Sequence, residues 1–250
     1  IILVPRSVVQ ATAAPSQATS SKSHAAKAAC RRSNTLLSLS LLCEPFVPLR
    51  AQDAEWDESH AARCAFQVLS ALAYLHSQGV CHRDIKLANL LRSSRSANAQ
   101  MKVADFGAAT MMEVPDDCAV SAATSLATGE ASPSLITFKG IQVGKECIGT
   151  PCNMAPEVFD RKYGPMCDMW SFGCVLYELL LGEPPFDPYK LPPDDPEYHL
   201  KKNVRAAKYP TTELPGWREL SQEAQYVLTH LLTASPSKRL SSWEVTLRHP

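Results

Sequence analysis

Regular patterns of apolar positions begin in this chain only after residue 57. Ala65, Val68, Leu69, Leu72 and Leu75 recur at three- and four-residue intervals, which line one face of an α-helix. Asp57 or Ser59 can cap the start and Gly79 suits the position just past the end, so a helix is predicted over 58–78. Two short apolar pieces, 90–91 and 101–104, flank the polar stretch 92–100 and predict a small hairpin. Residues 111–140 are rich in Ser, Thr and Ala and carry Pro115 and Pro133; they predict a mobile insertion. Residues 168–181 are apolar on nearly every face, which predicts a helix buried all round, ended by Pro184-Pro185. Amphipathic helices are predicted over 197–207 and 221–233, and a last short one over 241–248. Residues 1–50 show no sustained period, and no internal repeat is visible.

Composition narrows the class. Of the 250 residues, 45% are hydrophobic, enough for a sizeable core, and the formal net charge is zero. That balance excludes a strongly basic nucleic-acid binder and an acidic tail protein. The longest apolar run, 36–43, is serine-interrupted and far short of the about 20 residues that span a bilayer. The balance is uneven along the chain. Residues 1–43 carry Arg6, Lys22, Lys27, Arg31 and Arg32 and no acid, so they hold +5 and the remainder −5. Basic, Ser-rich and acid-free is also the composition of a transit peptide, but the chain opens on Ile1, which reads as a fragment or a processed product. Nine cysteines, odd in number and without a CxxC, argue against a disulfide framework. The spacing of Cys147, Cys152, Cys167 and Cys174 fits no common zinc finger. Reduced thiols in a cytoplasmic protein, with nuclear access open, are the expectation.

The chemistry is concentrated just after the first predicted helix. His82-Arg83-Asp84-Ile85-Lys86-Leu87-Ala88-Asn89 is followed by Asp105-Phe106-Gly107, sixteen residues beyond Asn89, and then by Ala155-Pro156-Glu157. These are the H-R-D-x-K-x-x-N, D-F-G and A-P-E elements, in order. From about residue 55 to its end the chain resembles the C-terminal lobe of a eukaryotic protein kinase. The fold expected is α+β, a mainly helical C-lobe with the activation-segment insertion at about 111–140. Residues 1–54 are set apart as an irregular, basic, Ser/Ala-rich segment.

The resemblance implies a protein serine/threonine kinase that uses ATP and Mg²⁺ on protein substrates. Phosphoryl transfer needs positioned charge more than covalent participation. Asp84 is expected to orient the substrate hydroxyl and accept its proton, and Lys86 to place a cation beside the transferring group. Asn89 and Asp105 would supply hard oxygens to magnesium, the second bridging to phosphate. Thr150, in Gly149-Thr150-Pro151, matches a threonine that contacts Asp84 and Lys86. His82 is expected to be a packed structural histidine, Phe106 a core aromatic and Gly107 the turn after the metal ligand. Arg83 matches the arginine that binds an anion on the activation loop. Glu146, three positions before Gly149, is expected to pair with Arg83 and order that loop without phosphorylation. Thr124, Ser125, Thr128, Ser132, Ser134 and Thr137 are the insertion's phosphorylatable residues. Asp168 matches the aspartate that holds the catalytic-loop backbone, and Arg239 the arginine that pairs with Glu157.

Tyr209, Trp217, the helix ending at Leu232 and Pro236-Ser237-Lys238-Arg239-Leu240 resemble the calcium/calmodulin-dependent and calcium-dependent kinase group. No EF-hand loop is present, so calcium sensing is not encoded in this stretch. Glu178 matches an acidic position that basophilic kinases set against a substrate arginine, whereas Ala88 stands where many carry a second glutamate. Residues 1–78 contain no glycine, and their only lysines are Lys22 and Lys27, so the N-lobe's glycine loop and strand lysine are not recognisable. Residues 36–44 faintly resemble a kinase's fifth strand and hinge. The alternative to an enzyme is a truncated, inactive lobe acting as an interaction module; Asp84, Lys86, Asn89 and Asp105 would then have no chemical use.

Overall fold

The computed structural model describes residues 57–94, 99–111 and 144–241, and the backbone of 44–45. The first long helix, α1 (Glu58–Ser77), follows its predicted bounds to within a residue. Asp57 caps it, its carboxylate accepting the His60 N–H at 2.8 Å. Its apolar stripe is the buried face: Leu72 is fully buried and Val68, Leu69 and Leu75 nearly so.

A strand pair that the sequence did not reveal comes next. β2 (Val80–Cys81) pairs antiparallel with β5 (Thr110–Met111), two strands of two residues each, too short to display alternation. Between them lies the expected hairpin, β3 (Leu90–Arg92) against β4 (Met101–Val103). A strand β1 (Glu44–Pro45) adds to its free edge, with Glu44 opposite Arg92 and Pro45 opposite Leu91. The sheet thereby draws in residues set apart with the 1–54 segment.

The helical body follows. After α2 (Pro156–Phe159), α3 (Met166–Leu181) runs through the core with Met169, Trp170, Phe172, Val175 and Tyr177 fully buried. It begins two residues before its prediction, and it ends before the prolines: Gly182 adopts φ 81° and returns its N–H to the Glu178 carbonyl. α4 (Pro196–Arg205) and α6 (Gln222–Leu231) are the predicted amphipathic helices. α5 (Pro215–Glu219) lies between them and is one turn long, too short to show a period. Ser221 caps α6 and is itself held from across the molecule, its N–H donating to Glu58 at 3.0 Å. Tyr209 and Trp217 pack on Tyr177. Of the predicted elements, the 111–140 insertion and the 241–248 helix lie outside the described residues, but for their first residues. Among the described residues no helix is long and apolar enough to cross a membrane.

Candidate active site

One fully buried carboxylate organises the region. Asp168, at the start of α3, takes three hydrogen bonds from nitrogen, the His76 ring at 2.9 Å, the His82 N–H at 2.8 Å and the Arg83 N–H at 2.7 Å, and a long one from the Cys167 thiol at 4.0 Å. Burial pushes its carboxyl upward, but the His76 bond and the neighbouring histidines outweigh this and hold it below the usual range. Asp168 thereby holds the backbone of residues 82 and 83. His76 was not singled out in the sequence. Its signal is a polar residue four positions after Leu72 on the apolar face of α1, where a buried side chain must find a partner.

His82 is fully buried, and burial lowers its pKa. Its Nε2 lies 3.0 Å from the Ala104 carbonyl, and its Nδ1 accepts the Asp84 N–H at 3.3 Å. That network assigns the neutral tautomer with the proton on Nε2. The ring also packs edge-on against Phe106 at 4.9 Å. His82 is therefore a spacer between the loop that carries Asp84 and the turn that carries Asp105.

The polar residues converge beside it. The Lys86 ammonium lies 2.8 Å from Asp84 Oδ2 and donates to the Thr150 hydroxyl at 3.0 Å. That hydroxyl donates to Asp84 Oδ1 at 2.7 Å. Asn89 donates its amide N–H₂ to Asp84 Oδ2 at 3.2 Å and to the Asp84 carbonyl at 2.8 Å. Burial of the Asp84 carboxyl is outweighed by the bonds from Lys86, Thr150 and Asn89, so its pKa is lowered. Gly149 sets Thr150 close: its φ is +121°, and a Cβ there would meet the Arg83 carbonyl at 2.6 Å.

Asp105 follows a residue tied to this cluster. The preceding residue's N–H bonds the Asn89 carbonyl at 2.9 Å, which ties the two segments side by side. Asp105 is left-handed (φ 60°) and exposed; its Oδ1 accepts the Gly107 N–H at 3.2 Å. The donor set fits magnesium. The Asn89 amide is fixed by its nitrogen, which leaves its oxygen as a neutral hard ligand, and Asp105 offers an exposed anionic one.

A model of the protein kinase domain matches residues 39–250. The chain belongs to the protein kinase family. Over 196 residues it is 32% identical to the calcium/calmodulin-dependent protein kinase type II alpha chain of Drosophila melanogaster, an alignment that takes in 78% of this chain and 31% of that relative. The chain thus spans about a third of the length of the curated relative it matches. The match includes residues 39–54, among them β1. The α+β architecture with a mainly helical body is the kinase fold, and members of the family use ATP and Mg²⁺.

Around this centre the chain places the remaining residues unequally. Glu157 and Arg239 form a buried bidentate pair at 2.5 and 3.0 Å. Glu146 meets Arg83 only at 3.4 Å, with its side chain 69% exposed, and so exposed a pair contributes little. Glu178 is half-buried, and burial raises its carboxyl. Cys81 and Cys167 lie 3.7 Å apart beside Asp168 as free thiols. Both Asp168 oxygens are already engaged, so the trio is core packing around the anchor and not a ligand set.

Asp168→Asn tests that anchor. An amide has one acceptor oxygen where three donors converge, so a loss of about 1.5–3 kcal/mol is expected at pH 7. The wild-type carboxyl has a folded pKa below its unfolded one. Its stabilisation is present above the unfolded value and fades as pH falls through the folded value. Urea unfolding at pH 7 and in acid should therefore show the gap between wild type and variant closing as pH drops; a constant gap would refute this.

Proposed function

We propose that this kinase transfers the γ-phosphoryl group of Mg-ATP to Ser and Thr hydroxyls of protein substrates. The observation that carries the reading is the chain Lys86–Thr150–Asp84–Asn89, in which one ionised carboxylate is held by three donors. Asp84 aligns the substrate hydroxyl and takes its proton. Thr150 bridges base and cation, accepting from Lys86 while donating to Asp84. Lys86 sets a positive charge where phosphate oxygens gather. Asn89 and Asp105 would hold the magnesium, which when bound neutralises phosphate charge and aligns the leaving group. His82, Phe106 and Gly107 keep the Asp105 turn in register with the Asp84 loop.

The substrates are proteins, and the lysine at 86 favours Ser and Thr over Tyr. The lobe takes up residues 55–250 with its insertion at about 111–140, and the preceding segment lends β1 to the lobe's sheet. Six described cysteines stand as thiols, which suits a reducing compartment, the cytoplasm, with access to the nucleus.

The test is label transfer from γ-labelled ATP by the full-length kinase to a degenerate peptide library, with and without Mg²⁺. Magnesium-dependent phosphoserine and phosphothreonine are expected. Label on tyrosine alone, or none above the metal-free blank, would overturn the proposal.

A further inference from the structure

Arg83 precedes the proton-accepting carboxylate and has a left-handed backbone, φ 69°. That conformation is costly for a non-glycine residue and persists where its surroundings impose it. Asp168 grips its N–H, and the guanidinium supplies the rest. Nε donates to the Ala108 carbonyl at 2.5 Å, one residue past the Asp105-Phe106-Gly107 turn. One terminal nitrogen donates to the Tyr163 hydroxyl at 3.1 Å, whereas its contact with exposed Glu146 is longer, at 3.4 Å. Tyr163 itself is only 2% exposed. The arm that returns to Thr150 runs across it: Gly144 and Tyr163 form an antiparallel bridge, and a Cβ on Gly144 would lie 2.4 Å from the phenol oxygen. A side chain at 144 would force the phenol, or the segment that carries residue 144, to shift.

We infer that Tyr163 is a positioning residue for phosphoryl transfer, its hydroxyl clamping the Arg83 guanidinium so that the Asp105 turn and the Thr150 arm stay docked on Asp84. This rests on the kinase reading above. The clamp is uncharged, because burial raises the phenol's pKa. It therefore works without an anion on the activation segment. When the hydroxyl is removed, a guanidinium in a side chain only 9% exposed keeps the Ala108 bond and one long, exposed contact. The Asp105 turn and the Thr150 arm then lose their common anchor, and small misplacements of reacting groups are felt steeply in rate.

In the full-length kinase, Tyr163→Phe is expected to lower kcat by about tenfold, part of the roughly 10²-fold that an ångström of misplacement costs. KM for Mg-ATP should stay within about twofold, and Tm should fall by no more than a few degrees. Gly144→Ala should reproduce the loss, and Glu146→Ala should retain most of kcat. In an Arg83→Ala background Tyr163→Phe should add nothing, because the hydroxyl acts through that guanidinium. Wild-type kcat in Tyr163→Phe, or an equal further loss in the Arg83→Ala background, would overturn the inference. A wild-type protein that transfers no phosphate overturns the kinase reading itself and this inference with it, an outcome read before any variant is made.

Discussion

Asp84→Asn is expected to cut kcat by about 10²–10⁴-fold, the range that a positioned acid–base group supplies, while leaving the fold intact. The carboxylate has two acceptor oxygens and three side-chain donors around them: Thr150 on Oδ1, Lys86 and Asn89 on Oδ2. An amide matches one oxygen and turns N–H₂ toward the other, so either the Thr150 hydroxyl or the Lys86–Asn89 pair meets a donor. The substrate hydroxyl also loses its proton acceptor, because an amide nitrogen does not take up a proton near neutrality. Stability should change little. The site gives up an attraction to Lys86, and it is also relieved of a partly buried charge. The measurement is kcat and KM for Mg-ATP by a coupled assay, beside Tm for both proteins. A KM for Mg-ATP within a few-fold of wild type is expected, since Asp84 is not among the proposed magnesium ligands. A variant that keeps a tenth or more of the wild-type kcat would remove Asp84 from the role of base; a collapse of Tm would recast it as a structural residue.

The residues involved show what a one-dimensional reading can and cannot reach. Asp84, Lys86 and Asn89 lie within six positions, so their order could be matched to a chemistry directly. Asp105 and Thr150 were reachable because each sits in a short motif of its own. The long helices were legible from their apolar period, and the hairpin from two apolar pieces around a polar loop. What escaped was set by packing between distant segments. His76 and Asp168 are 92 positions apart, and Arg83 and Tyr163 are 80 apart. Nothing local distinguishes a histidine that caps a core helix's aspartate from one that merely faces inward. Glu146 could be matched to Arg83 from its place three before Gly149, and it meets that residue at 3.4 Å; the buried phenol, closer at 3.1 Å, carries no such local signal. The strands β2 and β5, two residues each, are too short to show an alternation, and the hairpin between them in the chain brings them side by side.

The second large effect is on stability, at a pair that touches neither nucleotide nor substrate in the proposed mechanism. Arg239→Met is expected to cost about 3–5 kcal/mol, the range for leaving one partner of a buried ion pair uncompensated. Glu157 is 7% exposed and Arg239 2%, so water cannot replace the missing guanidinium. More is lost than the pair. The guanidinium also donates to the carbonyls of Met166 at 2.7 Å, Thr233 at 3.0 Å and Ala234 at 3.2 Å, and lies 5.2 Å from the Trp170 ring centre. It therefore joins α2, the start of α3 and the segment beyond α6 at one point. Against a typical total of about 5–15 kcal/mol, that loss should appear as a fall in Tm on the order of 10 °C. The double variant Glu157→Leu/Arg239→Met separates the two contributions. Removing both charges together abolishes the stranded carboxylate, so part of the loss should return. Full recovery is not expected, because three backbone carbonyls still lack their donor. Urea unfolding of the wild type and both variants measures this directly. A loss under 1 kcal/mol for Arg239→Met would mean that water reaches Glu157 and the pair is not buried in solution. A double variant no better than the single would mean that the carbonyls, and not the charge, carry the cost. Because Glu157 sits three residues after Met154 and seven after Thr150, molecules that remain folded should also show a displaced Thr150 arm and a lower kcat.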